Sequence, residues 1–305
     1  MDTLEDIGQL ARLHGPVHLA IGVFDGVHLG HQAVIQTALR QPHGSPVVVT
    51  FDPHPARVLR PDRAPLLLTS TRHKLLLLER LGVPNVLVLP FNAALAATEA
   101  ADFVTRLQHA CHPLGSITVG HDWTFGHRAR GNVALLQSLG ITVHAVPPVI
   151  IDGSPASSTT VRHSLATGNL AHATRLLGRP PTTLGTVIQG RQLGRQLGFP
   201  TANITPDTEQ LPPNGVYAVR ATLDNHTHHA VANIGLRPTL HSPSPQRLLE
   251  VHLLDFHQSI YGAELEIEWV ARLRPEQQFP SLDALAAQIT LDVATAKSTL
   301  SRSQS

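Results

Sequence analysis

Short apolar runs at residues 17–24, 47–51, 86–90, 116–120 and 141–146 punctuate the first half of the chain, with segments of helical spacing between them. The runs are continuous rather than alternating, which is the pattern of strands buried on both faces. Strand and helix taking turns in this way imply an α/β unit, a parallel, doubly wound sheet covered by helices. The helical segments carry their own start and stop signals. Thr69 to Thr71 can cap a helix that runs through Leu81 and closes at Gly82, and residues 99–111 keep helical spacing and stop before Pro113.

A different pattern takes over after a helical stretch at 158–178. Arg179-Pro180-Pro181-Thr182 is a stiff break and sets the expected domains at 1–180 and 181–305. Beyond it, residues 186–189, 215–223, 229–234, 247–254 and 265–273 read as strands between Gly, Pro and Asn turns, and 282–300 as a closing helix. Val216, Ala218, Val219, Ala221 and Leu223 mix alternation with small residues, which suits the curved wall of a small antiparallel barrel. With 305 residues and 42% hydrophobic content the chain can fill two such cores.

Composition removes several classes of function. A formal net charge of +1 argues against a general nucleic-acid binder. The lone Cys111 excludes an internal disulfide framework and a cysteine zinc cluster. No apolar run reaches the roughly 18 residues of a membrane span. The acidic opening MDTLEDIGQL has no basic-then-apolar leader, so a cytoplasmic protein without membrane partners is expected. Histidine is abundant, at 20 residues, whereas lysine occurs only at Lys74 and Lys297. His226, His228 and His229 lack cysteine or acidic ligands at useful spacing and read as a solvated hairpin tip rather than a metal site. The oligomeric state is left open.

The richest chemical motif is Gly22-Val23-Phe24-Asp25-Gly26-Val27-His28-Leu29-Gly30-His31, where the first apolar run passes into a helix. Gly26 and Gly30 let backbone approach a bulky anion, and the helix that follows aims its free N–H groups at the same space. His28 and His31, three residues apart, can both reach one phosphate and stabilise charge on it. Neither a Walker loop nor Gly-x-Gly-x-x-Gly is present. A second candidate phosphate wall is Ser157-Ser158-Thr159-Thr160-Val161-Arg162, hydroxyls at a helix start with an arginine fork behind them. Alone, Ser157 or Ser158 would be a plain helix cap. Thr50-Phe51-Asp52-Pro53-His54-Pro55 and Val119-Gly120-His121-Asp122-Trp123-Thr124-Phe125-Gly126 follow two further runs, and in a parallel sheet they line the same edge.

The histidine motif resembles the His-x-Gly-His signature of nucleotidyltransferases, and the serine motif resembles their Ile-Ser-Ser-Thr-x-x-Arg. With the two later loops they resemble the adenylyltransferase module of prokaryotic FAD synthetases. The resemblance implies that Gly22, Phe24, Asp25, Gly26, Gly30, Ser157, Ser158, Thr159 and Arg162 hold ATP phosphates, and that Phe51, Pro53, His54, Asp122 and Phe125 hold flavin. Val23 stands where Asn is usual, Trp123 where Phe is usual, Ala156 where Ile is usual, and Asn169 where Asp is common.

The second half carries Gly194-Arg195-Gln196-Leu197-Gly198-Phe199-Pro200-Thr201-Ala202-Asn203. The glycines give a loop able to close over phosphates. Thr201 and Asn203 share a face if extended, and their neutral oxygens suit magnesium carried by ATP. Ala232-Asn233-Ile234-Gly235-Leu236-Arg237-Pro238-Thr239 and Glu250-Val251-His252-Leu253-Leu254-Asp255-Phe256 follow. Leu249, Val251 and Leu253 share an apolar face that should pack the barrel core, which puts Glu250 and His252 on the other face. From alternation alone that face is a solvated exterior; used chemically, Glu250 is a general base.

These strings resemble riboflavin kinase, with Ser259 where an acidic residue is common. The chain from about residue 17 onward thus resembles the bifunctional riboflavin kinase/FMN adenylyltransferase family. That implies Gly194, Arg195, Gly198 and Pro200 at ATP, Thr201 and Asn203 at Mg2+, Asn233 and Arg237 at flavin, and Glu250 as base. Riboflavin, FMN and ATP would be substrates, with FMN and FAD passing through as substrate and product rather than as prosthetic groups. Two other readings compete. One is a nucleotidyltransferase for another small phosphate ester with a regulatory flavin-binding barrel, which leaves Thr201, Asn203 and Glu250 without a task. The other is a non-catalytic flavin-binding scaffold, which leaves both site sets without one.

Overall fold

The computed structural model describes residues 1–189, 198–237 and 246–302, with Arg237 and Gln246 as backbone only. Gly194, Arg195, Gln196, Leu197, Pro238 and Thr239, and the side chain of Arg237, therefore lie outside the described residues. The chain divides into two units, Met1–Leu66 with Thr71–Ser158, and Leu67–Ser70 with Thr159–Ser305.

The first unit is built on β1 (Asp2–Leu4), β2 (Val17–Ile21), β3 (Ser45–Asp52), β4 (Asn85–Pro90), β5 (Leu114–Gly120) and β6 (Val143–Val146). They form a sheet in the order β1-β4-β3-β2-β5-β6, and every neighbouring pair is parallel. Its helices are α1 (Leu29–Leu39), α2 (Pro55–Leu59), α3 (Thr71–Arg80), α4 (Ala93–Ala96), α5 (Ala100–Ala110) and α6 (Val133–Ser138), and a short hairpin, β7 (Ile150–Ile151) and β8 (Ser154–Pro155), follows. The continuous apolar runs have their explanation here. Leu19, Ile21, Val47, Val49, Leu87 and Leu89 face one way and pack with α5 residues Phe103, Val104 and Leu107. Ala20, Val48 and Val86, their alternates, face the other way and pack with Val34 and Ile35 of α1 and Leu77 and Leu78 of α3. Each fully buried aliphatic side chain contributes about 1.5–3 kcal/mol, so a polar residue on either face of these strands would be costly.

The first expected strand ends early. Residues 22–24 leave the sheet because Phe24 takes φ +53°, and Gly26 and Val27 follow at +82° and +45°. Strand β1 is an addition: three residues pairing with β4 are too few for a periodicity signal. Cys111 is buried, and burial pushes its thiol up to about 12, which makes it unreactive.

The expected helical stretch 158–178 is two helices, α7 (Ser158–Ala166) and α8 (Leu170–Leu177). Gly168 breaks it at φ +77°, and the Asn169 side chain caps α8 by accepting from the His172 N–H at 3.0 Å. The break explains why Asn serves here in place of Asp, since both cap equally well. A closed antiparallel barrel follows, ordered β10-β13-β12-β11-β14-β9. Its strands are β9 (Thr182–Ile188), β10 (Ala202–Pro206), β11 (Gly215–Leu223), β12 (His226–Arg237), β13 (Gln246–Leu253) and β14 (Glu264–Arg274). Tyr217, Val219, Ala232, Ile234, Leu249, Val251, Leu265, Ile267 and Trp269 alternate into the barrel core, each at most 1% exposed. On the outer face, Val216, Ala218 and Val231 pack against Ala296 and Leu300 of the terminal helix, Leu282–Arg302. The hairpin turn is Asp224-Asn225, both at positive φ, so His226, His228 and His229 lie on β12 beyond the tip rather than in it. Among the described residues no group of three or more His, Cys, Asp or Glu could hold a metal ion, and no helix is long and apolar enough to cross a membrane.

Candidate active sites

In the first unit the chain builds β3 and β4 on one side of β2 and places β5 and β6 on the other. That makes the end of β2 a switch point, where open parallel sheets bind ligands. The histidine motif follows β2, the Thr50 motif ends β3, and the Gly120 motif follows β5. Within the first loop Val27 is a β-branched residue in the left-handed region, a strained conformation. Its burial, and that of Phe24, both 1% exposed, holds the loop in this shape.

His28 caps α1: its Nδ1 accepts from the His31 N–H at 3.3 Å. The two imidazoles stack with centroids 3.5 Å apart, and Phe24 meets His31 edge-on at 5.3 Å. Both rings thus stand at the positive end of α1, beside N–H groups that have no helical acceptor. A Cβ on Gly30 would lie 3.0 Å from the Ala156 carbonyl oxygen and 3.1 Å from the His28 ring, and one on Gly22 would lie 2.9 Å from the Phe24 ring. Glycine at 30 lets α1 approach the serine-rich segment, and the Ser158 hydroxyl donates to the Asp25 carbonyl at 2.9 Å. Ser157 and Ser158 are thereby beside the first motif, and Thr159 and Arg162 continue along α7.

A cleft of about 570 Å³ opens at the same sheet edge, large enough for an aromatic tricycle. Phe51, Phe91, Phe103, Trp123 and Phe125 line it. Trp123 stacks on Phe125 at 4.5 Å with an 11° interplanar angle, giving a flat wall. Of the residues that the resemblance implies at flavin, Phe51 and Phe125 are in this lining. Pro53, His54 and Asp122 are not in the lining: His54 caps α2 by accepting from the Ala56 N–H at 3.1 Å, and Asp122 is exposed beside His121. Val23, Arg60, Phe91, Leu95 and Arg128 also line the cleft, and the sequence motifs assigned none of them to a site. Val23 carries its carbonyl to the Thr50 hydroxyl, which donates to it at 3.0 Å.

In the barrel, strand register places the decisive residues in a row. Asn203 of β10 pairs with Glu250 of β13, which pairs with Asn233 of β12. One cavity, of about 340 Å³, is lined by Phe199, Thr201, Asn233, Glu250 and His252, and by Leu285, Ile289 and Asp292 of the terminal helix. A second, of about 350 Å³, is lined by Pro200, Thr201, Val251, Leu253, Phe256 and Tyr261. Thr201 belongs to both linings. His252 Nδ1 donates to the Pro200 carbonyl at 2.7 Å and meets Phe199 edge-on at 5.7 Å, so this pair fixes the chain leading into Thr201. Arg274 reaches from β14 to Asp292 at 2.8 Å and ties the terminal helix over the first cavity. Gly198, at φ +84°, turns the chain in open space ahead of Phe199.

Known proteins share this arrangement. A family model described as FAD synthetase matches residues 11–160, and one described as riboflavin kinase matches residues 177–300. A bifunctional riboflavin kinase/FMN adenylyltransferase of Pseudomonas fluorescens is 39% identical over 97% of both chains. The chain belongs to the bifunctional riboflavin kinase/FMN adenylyltransferase family. A relative of the same description from Escherichia coli K12 is 40% identical and covers 92% of this chain and 91% of its own. A crystal structure described as a macrolide-efflux protein from Streptococcus pneumoniae is 28% identical, with a TM-score of 0.83, covering 97% of this chain and 99% of that one. As a member of the family, the chain phosphorylates riboflavin in its C-terminal part and adenylylates FMN to FAD in its N-terminal part, with ATP as co-substrate of both reactions. The readings that leave the barrel regulatory or both sites inert are displaced.

Proposed function

We propose a division of labour among these residues, and the observation that carries it is the row Asn203, Glu250, Asn233 beside a threonine common to two cavities. Riboflavin occupies the cavity under the terminal helix, with Asn233 and Arg237 on the ring, and ATP the cavity under Tyr261, with Gly194, Arg195, Gly198 and Pro200 on its phosphates. The ribityl hydroxyl meets the γ-phosphate at Thr201. Its oxygen forms a bond to the γ-phosphorus as the bond to ADP breaks, and Glu250 accepts its proton. Thr201 and Asn203 offer the neutral hard oxygens that suit Mg2+, which supplies positive charge to the phosphates.

In the N-terminal part, FMN lies in the aromatic cleft with Phe51 and Phe125 on the ring, and Pro53, His54 and Asp122 shape the loops beside it. A phosphate oxygen of FMN bonds to the α-phosphorus of ATP and pyrophosphate leaves. His28, His31 and the α1 N–H groups stabilise the charge gathering on the leaving phosphates, as oxyanion donors do. Gly22, Phe24, Asp25, Gly26 and Gly30 shape that wall; Ser157, Ser158, Thr159 and Arg162 form the other. The domains are 1–180 and 181–305. The setting is the cytoplasm, without nucleic-acid or membrane partners.

Asn203→Ala tests the metal assignment. It is expected to raise the Mg2+ concentration for half-maximal riboflavin phosphorylation about tenfold or more, the scale of losing support at a metal site. The Mg2+ dependence of FMN adenylylation should not move. An unchanged Mg2+ dependence of phosphorylation removes Asn203 from the metal.

A further inference from the structure

Of the 23 lysine and arginine side chains, only Lys74 and Lys297 are lysines. Lys297 is an exposed partner of Asp255, whereas Lys74 is 4% exposed, on the face of α3 that also buries Leu77 and Leu78. A buried ammonium needs partners, and these point to the phosphate-binding loop. The Lys74 Nζ donates to the Thr50 hydroxyl at 3.1 Å, and that hydroxyl donates to the Val23 carbonyl at 3.0 Å. Val23 is the residue before the strained turn of Phe24, Gly26 and Val27. The carboxylates of Asp25, in that turn, and Asp52, at the end of β3, both act on the ammonium. Asp25 is itself 2% exposed. Asp25 and Asp52 thus act on the Lys74 ammonium beside a loop that must receive a polyanion.

We propose that Lys74 is a positioning residue for adenylyl transfer: its ammonium offsets Asp25 and Asp52 and holds the loop at 23–27 so that it accepts the ATP triphosphate. This rests on the reading of that loop as the ATP phosphate site. A point charge suits the task better than a guanidinium fork, because the partners converge in a closed space. Without the ammonium, the two carboxylates repel the incoming phosphates through a poorly screened medium.

Lys74→Gln keeps an N–H donor for Thr50 and removes the charge. The expected result is a rise of about tenfold or more in the KM for ATP in FMN adenylylation, the scale of one positive charge lost beside a polyanion. The kcat should fall by less, about threefold at most. Riboflavin phosphorylation by the same preparation should be unchanged, and circular dichroism of the variant reports that the first unit is folded. The double variant Lys74→Gln/Asp25→Asn, which restores the charge balance with little change of shape, should recover at least about threefold in KM; a purely structural lysine gives no such recovery. Where Lys74→Gln fails to fold, Lys74→Met carries the same comparison. An unchanged KM for ATP, or a loss confined to kcat, overturns the proposal. His31→Ala in the same assay separates the two layers. If it leaves adenylylation intact, the reading of the loop fails; if it abolishes adenylylation while Lys74→Gln is normal, only the role of Lys74 fails.

Discussion

Replacing Lys74 with Met should stabilise the protein at neutral pH. Burial pulls the Lys74 ammonium down from 10.5 to about 8, and Asp25 and Asp52 oppose that pull without cancelling it. The folded state therefore binds this proton less readily than the unfolded chain does. The resulting penalty is fully present below pH 8 and disappears as pH rises from about 8 toward 10.5. The difference between 10.5 and about 8 amounts to about 3 kcal/mol at 1.36 kcal/mol per unit. Methionine fills similar space but loses the hydrogen bond to Thr50, worth about 1 kcal/mol. The net gain at pH 7 is about 2 kcal/mol; it should reach zero near pH 10 and turn into a small loss at higher pH, where only the missing hydrogen bond remains. Urea unfolding in a Trp269→Phe background, where Trp123 of the first unit is the remaining indole, reads the change at pH 7 and pH 10. A variant less stable than its parent at pH 7, by an amount that does not vary with pH, would refute the reasoning. It would mean that the carboxylates more than repay the burial of the charge.

Gly30→Ala should lower FMN adenylylation about tenfold or more and leave riboflavin phosphorylation alone, because the new Cβ would press on the Ala156 carbonyl and the His28 ring at 3.0 and 3.1 Å. Initial rates on the two substrates check this, and equal losses on both would point to general misfolding. Residues 1–180 expressed alone should still convert FMN to FAD, although the segment Leu67–Ser70, which belongs to the second unit, loses Thr208, which donates to the Leu67 and Leu68 carbonyls at 2.8 and 2.9 Å, and Glu209, which accepts from the Leu67 N–H at 3.0 Å. A fragment that is folded by circular dichroism but makes no FAD would show that the second unit is needed for this reaction.

The parts of this structure that repeat in the chain were the easiest to read from it. Continuous runs such as Val47 to Val49 announce strands with both faces covered, and the alternation around Leu249, Val251 and Leu253 announces a barrel wall. Motifs with strict spacing were equally legible, as His28 and His31 show. What could not be read depends on convergence. Phe91 and Leu95 come from the connection after β4 and Arg128 from the connection after β5, and only the fold brings them to one cleft. Strand β10 is too short to show a period, and its place is set by pairing with β9 and β13 rather than by its own sequence. Lys74 had a signal of its own, a lysine three and four residues before Leu77 and Leu78 in a chain whose only other lysine is Lys297. Its meaning needed Thr50 and the two carboxylates beside it.

The central claim is that two chemistries sit in separate sites with separate residues, and one crossed measurement tests it. Purified His31→Ala and Glu250→Gln are each assayed twice, for riboflavin phosphorylation and for adenylylation of supplied FMN. His31→Ala should lose about 10²-fold or more in adenylylation and keep phosphorylation, the scale of removing a charge-stabilising donor. Glu250→Gln should lose at least about 10²-fold in phosphorylation and keep adenylylation, the scale of a general base. Both rates falling together in either variant, with its fold intact by circular dichroism, would contradict the account.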